Sequence, residues 1–116
     1  MPLIKLETNH PFSPPESAAL CAKLSRLAAE VIGKPEQYVQ AIVASQPAMM
    51  RHGGADGPAA FVEVRSIGGL SPKVNTALAD RVCRLLKEVG IPGERVYLNF
   101  VDVPATHWGH DGSTFG

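Results

Sequence analysis

The 116-residue sequence has no excess of charge of either sign, its 11 Lys and Arg being matched by 11 Asp and Glu. A neutral chain has no general electrostatic reason to hold nucleic acid or an anionic membrane, and neither is expected as a partner. Long apolar runs are also missing, and no stretch approaches the roughly 20 residues of a membrane span. The first apolar stretch, Met1 to Leu6, is interrupted by Lys5 and followed by polar and proline residues, so it lacks the unbroken core of a signal peptide. A cytoplasmic location is the resulting expectation. Cysteine is scarce too. Cys21 and Cys83 are far apart, and each falls inside a helical pattern. They read as small buried apolar residues of a reducing compartment rather than as a disulfide or a nucleophile. What remains, 45% hydrophobic and 19% charged residues, is the composition of one globular domain over residues 1–116.

The chain repeats itself. Gly33, Pro35 and Val39 recur at one constant separation as Gly90, Pro92 and Val96, and Pro15 recurs as Pro72 at the same separation. The hydrophobic pattern repeats with them. Leu20, Leu24, Leu27, Ala28 and Val31 in the first half, and Val74, Leu78, Val82, Leu85, Leu86 and Val89 in the second, fall at helical steps of three and four. Pro15 and Pro72 suit helix starts, and Gly33 and Gly90 suit helix ends.

Segments rich in β-branched and aromatic residues flank each helix: 2–8 and 38–45, then 59–67 and 95–103. The fold class is therefore α+β, a βαβ unit duplicated over about 2–46 and 59–103. A crossover helix favours parallel pairing within each half, giving a four-stranded mixed sheet with both helices on one face. Gly53-Gly54-Ala55-Asp56-Gly57-Pro58 is the turn between halves; it lacks the Lys-Ser/Thr of a phosphate loop. Two helices cover one side of the sheet only. Val96, Leu98 and Phe100 alternate with Tyr97, Asn99 and Val101, so the uncovered side is expected to be apolar and buried against further copies.

Met1-Pro2 opening the first strand, Gly33-Lys34-Pro35, Ser66-Ile67-Gly68, Val96-Tyr97-Leu98-Asn99 and the terminal Ser113-Thr114-Phe115, set in the repeated βαβ layout, resemble the macrophage migration inhibitory factor family of the tautomerase superfamily. The resemblance spans the whole chain. It implies a homotrimer with active sites at the subunit boundaries, a small-molecule substrate, and no metal or cofactor. The implied catalytic residue is Pro2, exposed as a free secondary amine once Met1 is removed. An α-amine titrates near pH ~8, and burial beside a cation lowers it further, so it is partly neutral near pH 7 and suits a general base. Lys34 is the implied cation, pairing with the substrate's carboxylate or carbonyl oxygen, and Ile67 offers its backbone N–H. Tyr97 and Asn99 would come from the neighbouring subunit, with Trp108, His110 and Phe115 completing the pocket.

There are departures from the family pattern. Trp108-Gly109-His110 stands where the family commonly has an aliphatic residue, glycine and tryptophan, so His110 occupies the tryptophan position. Pro58-Ala59-Ala60-Phe61-Val62 replaces the cysteine pair of the vertebrate proteins, and no thiol redox activity is expected. His107 and His110, three apart with no third ligand in view, read as pocket lining rather than a metal site. The implied reaction is keto–enol tautomerisation of an aromatic 2-oxo acid such as phenylpyruvate, with dopachrome as the family's other usual test substrate. The alternative is a cytokine-like signalling or binding protein with a vestigial pocket.

Overall fold

A computed structural model describes residues 1–46 and 50–116. Four strands form the main sheet: β1 (Pro2–Thr8), β2 (Gln40–Ser45), β3 (Ala60–Ser66) and β4 (Val96–Asp102), in the order β2-β1-β3-β4. β1 pairs with β2 and β3 with β4 in parallel, while β1 and β3 run antiparallel at the centre. The expected strands are present, β1 over its full expected length and the other three trimmed by one or two residues. At the starts of β2 and β4 this is because residues 36–38 and 93–95 wind into 3₁₀ turns.

Both helices follow from local chemistry. In α1 (Pro14–Ile32) the Ser13 hydroxyl accepts from the Glu16 N–H while the Glu16 carboxylate accepts from the Ser13 N–H, a reciprocal cap of about 1 kcal/mol. In α2 (Pro72–Glu88) the Ser71 hydroxyl accepts from the Val74 N–H. Each begins on proline, whose missing N–H is not needed there. The core lies between the helices and one sheet face: Ile4, Leu6, Val62 and Val64 from the central strands, Leu24 and Ala28 from α1, and Leu78, Val82 and Leu86 from α2. Ile32 rather than Val31 closes the α1 stripe.

Two expectations need correction. Cys21 and Cys83 are half-buried free thiols, not core residues. The Cys21 Sγ lies 3.2 Å from the Ala41 carbonyl oxygen, toward the margin of the α1–sheet layer. The uncovered sheet face is also not apolar throughout, because its central positions carry Lys5, Glu7, Glu63 and Arg65, with ion pairs Lys5–Glu7 (3.9 Å) and Arg65–Glu63. Exposed apolar groups lie on the outer strands instead, at Ile42 and Tyr97. A charged centre is expensive to dry, so contact with further copies is favoured at the flanks of this face rather than across its middle.

Beyond the four main strands, a small C-terminal hairpin was not anticipated. β5 (Gly109–His110) and β6 (Ser113–Thr114) pair across Asp111-Gly112, whose φ values of 47° and 88° are those of a tight two-residue turn.

Candidate active site

The sheet topology brings chemistry together at one end. Because β1 and β2 are parallel, with Leu3 paired to Gln40, the starts of both strands lie side by side. Because β3 is antiparallel to β1, its end arrives there as well, with Ser66 opposite Pro2. The C-terminal hairpin folds over the same end. A cavity of about 460 Å³ results, bounded by Met1 and Pro2, by Tyr38 and its neighbours, and by Trp108, His110 and Phe115.

Pro2 is fully buried at the edge of this cavity. With Met1 attached, its nitrogen is a tertiary amide with a delocalised lone pair and carries out no proton chemistry. The free amine therefore belongs to Met1, and its pKa is held below the usual α-amine value, first by burial and then by the positive charge of Lys34. Lys34 makes no ion pair among the described residues, so its field is not cancelled locally. Its stem runs close to Gly69, where a side-chain carbon would come within 3.3 Å of Lys34 Cε and 2.8 Å of an Ile32 methyl, at a φ of +81°. Glycine is required there on both counts.

The Ile67 N–H donates to the Met1 carbonyl oxygen at 3.4 Å. The loop presenting it is held from both sides. The buried Ser66 hydroxyl donates to the Gly68 carbonyl at 2.6 Å, and the Gly68 N–H donates to Asp102 Oδ1 at 3.3 Å. A cation and a fixed backbone donor thus lie beside the Met1–Pro2 unit, and the Met1 carbonyl marks where an oxygen can meet that donor.

The far wall is aromatic. The Phe115 N–H donates to the Trp108 carbonyl at 3.2 Å, and the His110 ring stacks on Phe115 at 5.7 Å with a 9° tilt. Pro2, Trp108, His110 and Phe115 line one cavity, with Lys34 and Ile67 acting on Met1 at its edge. His107, read as pocket lining, lies outside it. Sequence reasoning missed Gln37, Tyr38, Val39 and Gln40, which also line the cavity. The signal was available, since parallel pairing of β1 with β2 requires the residues opening β2 to flank Pro2.

Tyr97 and Asn99 are elsewhere. Through the strand register Tyr97 aligns with Phe61 and then Glu7, roughly 16 Å along β1 from Pro2 at about 3.3 Å per residue. Asn99 aligns with Glu63 and Lys5, on the uncovered face, whereas Pro2 shares the core face with Ile4. One chain cannot bring these residues to its own Pro2.

A family model described as macrophage migration inhibitory factor matches residues 1–116. The chain is 41% identical to the macrophage migration inhibitory factor homolog of Brugia malayi over 117 aligned residues, covering 100% of both chains. It is 33% identical to the Mus musculus macrophage migration inhibitory factor, covering 99% of each. Among solved structures it resembles the homologue from Prochlorococcus marinus, with a TM-score of 0.91 at 37% identity, covering 98% of this chain and 99% of that one. The macrophage migration inhibitory factor-like protein of Entamoeba histolytica superposes with a TM-score of 0.92 at 31% identity, over 98% of each chain.

Proposed function

Since the chain belongs to the macrophage migration inhibitory factor family, we propose that it is a keto–enol tautomerase acting on aromatic 2-oxo acids such as phenylpyruvate, with Pro2 as the acid–base residue. The observation that carries this reading is the convergence of the Lys34 charge and the Ile67 N–H on the Met1–Pro2 unit at the mouth of an aromatic cavity.

Removal of Met1 turns the Pro2 nitrogen into a secondary amine and releases the Ile67 N–H from the Met1 carbonyl. The burial and the Lys34 charge that disfavour the ammonium form of the Met1 amine would act on the Pro2 amine in the same direction, favouring its neutral, basic form. Pro2 takes a proton from the carbon next to the substrate carbonyl, or from the enol oxygen in the reverse direction, and returns it at the other site. Lys34 and the Ile67 N–H hold the substrate's oxygens as charge develops on the enolate. Trp108, His110 and Phe115 take the ring, with Tyr38 lining the same cavity. In a homotrimer, a neighbouring subunit contributes Tyr97 and Asn99, which the register keeps out of their own chain's cavity.

The test is a steady-state phenylpyruvate assay on chain shown by intact mass to lack Met1, compared with Pro2→Gly. Acid–base catalysis of this kind contributes about 10²–10⁴-fold, and a loss of kcat/KM of that size is expected in the variant. Equal rates would remove Pro2 from the mechanism. A binding protein with a vestigial pocket is the second reading, favoured by His110 at the family's tryptophan position; equal, very low rates in both proteins would support it.

A further inference from the structure

Tyr97 is the second residue of β4 and lies on the uncovered face with 68% of its surface exposed. A ring so exposed ordinarily exchanges among rotamers. Here it packs against the His52 ring at a centroid distance of 4.7 Å and a tilt of 47°, within the range of a favourable aromatic pair.

His52 is itself held. Its N–H and carbonyl pair with Ala55 at 3.5 and 3.1 Å, and its carbonyl also accepts from Arg95 Nη1 at 3.4 Å. The same guanidinium ties the rest of the loop, with Nε donating to the Pro58 carbonyl at 2.8 Å and Nη2 to the Ala55 and Gly57 carbonyls at 3.0 and 3.3 Å. Arg95 sits two residues before Tyr97. One short stretch therefore carries the exposed ring and the group that fixes that ring's neighbour.

We propose that His52, anchored through Arg95, is a positioning residue for Tyr97, selecting the rotamer in which Tyr97 faces the adjoining subunit's cavity and thereby setting affinity for the substrate's aromatic ring. This rests on the reading that Tyr97 lines that cavity. His52 does not line the cavity and touches no substrate. Its effect belongs in KM for an aromatic 2-oxo acid and not in kcat, since proton transfer stays with Pro2.

Loss of one aromatic pair corresponds to a change of about two- to tenfold in an equilibrium. His52→Ala is expected to raise the phenylpyruvate KM by that factor, with kcat and the assembly mass by sedimentation unchanged. His52→Phe, which keeps a ring face, restores KM. Arg95→Lys shares the defect, because an ammonium cannot reach four carbonyls as the planar guanidinium does. In a Tyr97→Ala background, His52→Ala adds nothing. Proton NMR gives a readout independent of turnover: the Tyr97 ring resonances move in His52→Ala and return toward wild type in His52→Phe. If Tyr97→Ala raises KM while His52→Ala leaves KM and the ring resonances unchanged, positioning is wrong and the Tyr97 reading survives. Unchanged KM in Tyr97→Ala overturns both. A fall in kcat together with loss of assembly mass in His52→Ala assigns the residue a structural role and overturns the proposal.

Discussion

The two βαβ halves share one backbone plan, and the antiparallel centre of the sheet places their equivalent ends at opposite extremes. β1 and β3 even bury alternate residues in the same pattern, so that Pro2 corresponds to Ala60. Between the repeated glycine and proline, the first half carries Lys34 and the second carries Ile91, which is fully buried. Closing the 3₁₀ turn before the outer strand, the first half has Tyr38, lining the cavity, and the second has Arg95, whose guanidinium is filled with the carbonyls of residues 52–58. Asn9 seals the second-half end further, donating to the Met50 and Gly57 carbonyls at 3.2 and 2.7 Å and accepting from the Ala59 N–H at 2.8 Å. The same fold therefore yields one end, the filled one, whose loop carbonyls are taken up by Arg95 and Asn9, although a cavity of about 650 Å³ remains beside Asn9 and Gly57. At the other, the open one, Lys34 makes no ion pair among the described residues. A handful of side chains, not the topology, makes the difference.

The largest effect expected from this contrast is on stability. Ile91→Ala removes a fully buried side chain and should cost about 2–5 kcal/mol, read from the urea midpoint. The equivalent change at the open end, Lys34→Ala, takes away a partly exposed side chain and should cost no more than about 0.5 kcal/mol while impairing turnover. Equal shifts in the two variants would mean that the Ile91 and Lys34 positions are not differently packed.

Most of this fold was legible because its signals are periodic. The repeated glycine and proline positions, the helical stripes and the alternating strands each report burial, and burial is what the backbone plan delivers. Signals that depend on direction were harder to read. Lys5, Glu7, Glu63 and Arg65 were visible as charges, yet only the register shows that they meet on one face. Cys21 lies beside helical-stripe positions, but a one-residue offset on a helix turns a side chain by about 100° and leaves it half-buried. The short β5–β6 hairpin has only its Asp111-Gly112 turn as a signature, and it forms too few residues to show alternation. Of the site, Pro2, Lys34 and Ile67 came from the family resemblance, whereas Tyr38 required knowing that the starts of two parallel strands are neighbours.

A smaller effect isolates the packing that aims Lys34. Gly68 and Gly69 both have positive φ, at 70° and 81°, but a side-chain carbon at Gly68 meets nothing within 4 Å, whereas one at Gly69 would strike Ile32 and the Lys34 stem. Gly68→Ala should therefore cost roughly 1–2 kcal/mol for the left-handed backbone alone. Gly69→Ala should cost roughly 1–3 kcal/mol beyond that, for overpacking. Only the second should raise KM, since it displaces the cation. If the two alanine variants match in stability and in KM, close packing at Gly69 has no part in placing Lys34.

The smallest expected effect lies in the pH dependence, where the Lys34 charge at the open end acts on the N-terminal amine. The chain's amine is held below its ordinary pKa by burial first and by Lys34 second. Once Met1 is removed, the amine belongs to Pro2, a buried residue one position further in, and the same two influences act on it. Activity requires the neutral amine, so kcat/KM should rise with pH through a pKa below ~8, the ordinary value for an α-amine. Lys34→Ala relieves the repulsion on the ammonium form, so its acid limb should move to higher pH. The limb should still stay below the ordinary value, because burial is the larger cause and remains. Stability follows the same sign. The folded state gives up this proton more readily than the unfolded chain, so the stability linked to it is fully present above the unfolded pKa and is lost as pH falls through the folded one. Lys34→Ala should narrow that window. High salt, which screens a partly exposed lysine but leaves burial intact, should move the wild-type limb in the same direction as the substitution. An acid limb unmoved by either change would show that the Lys34 charge does not act on the amine, and would leave burial alone as the difference between the open end and an ordinary N-terminus.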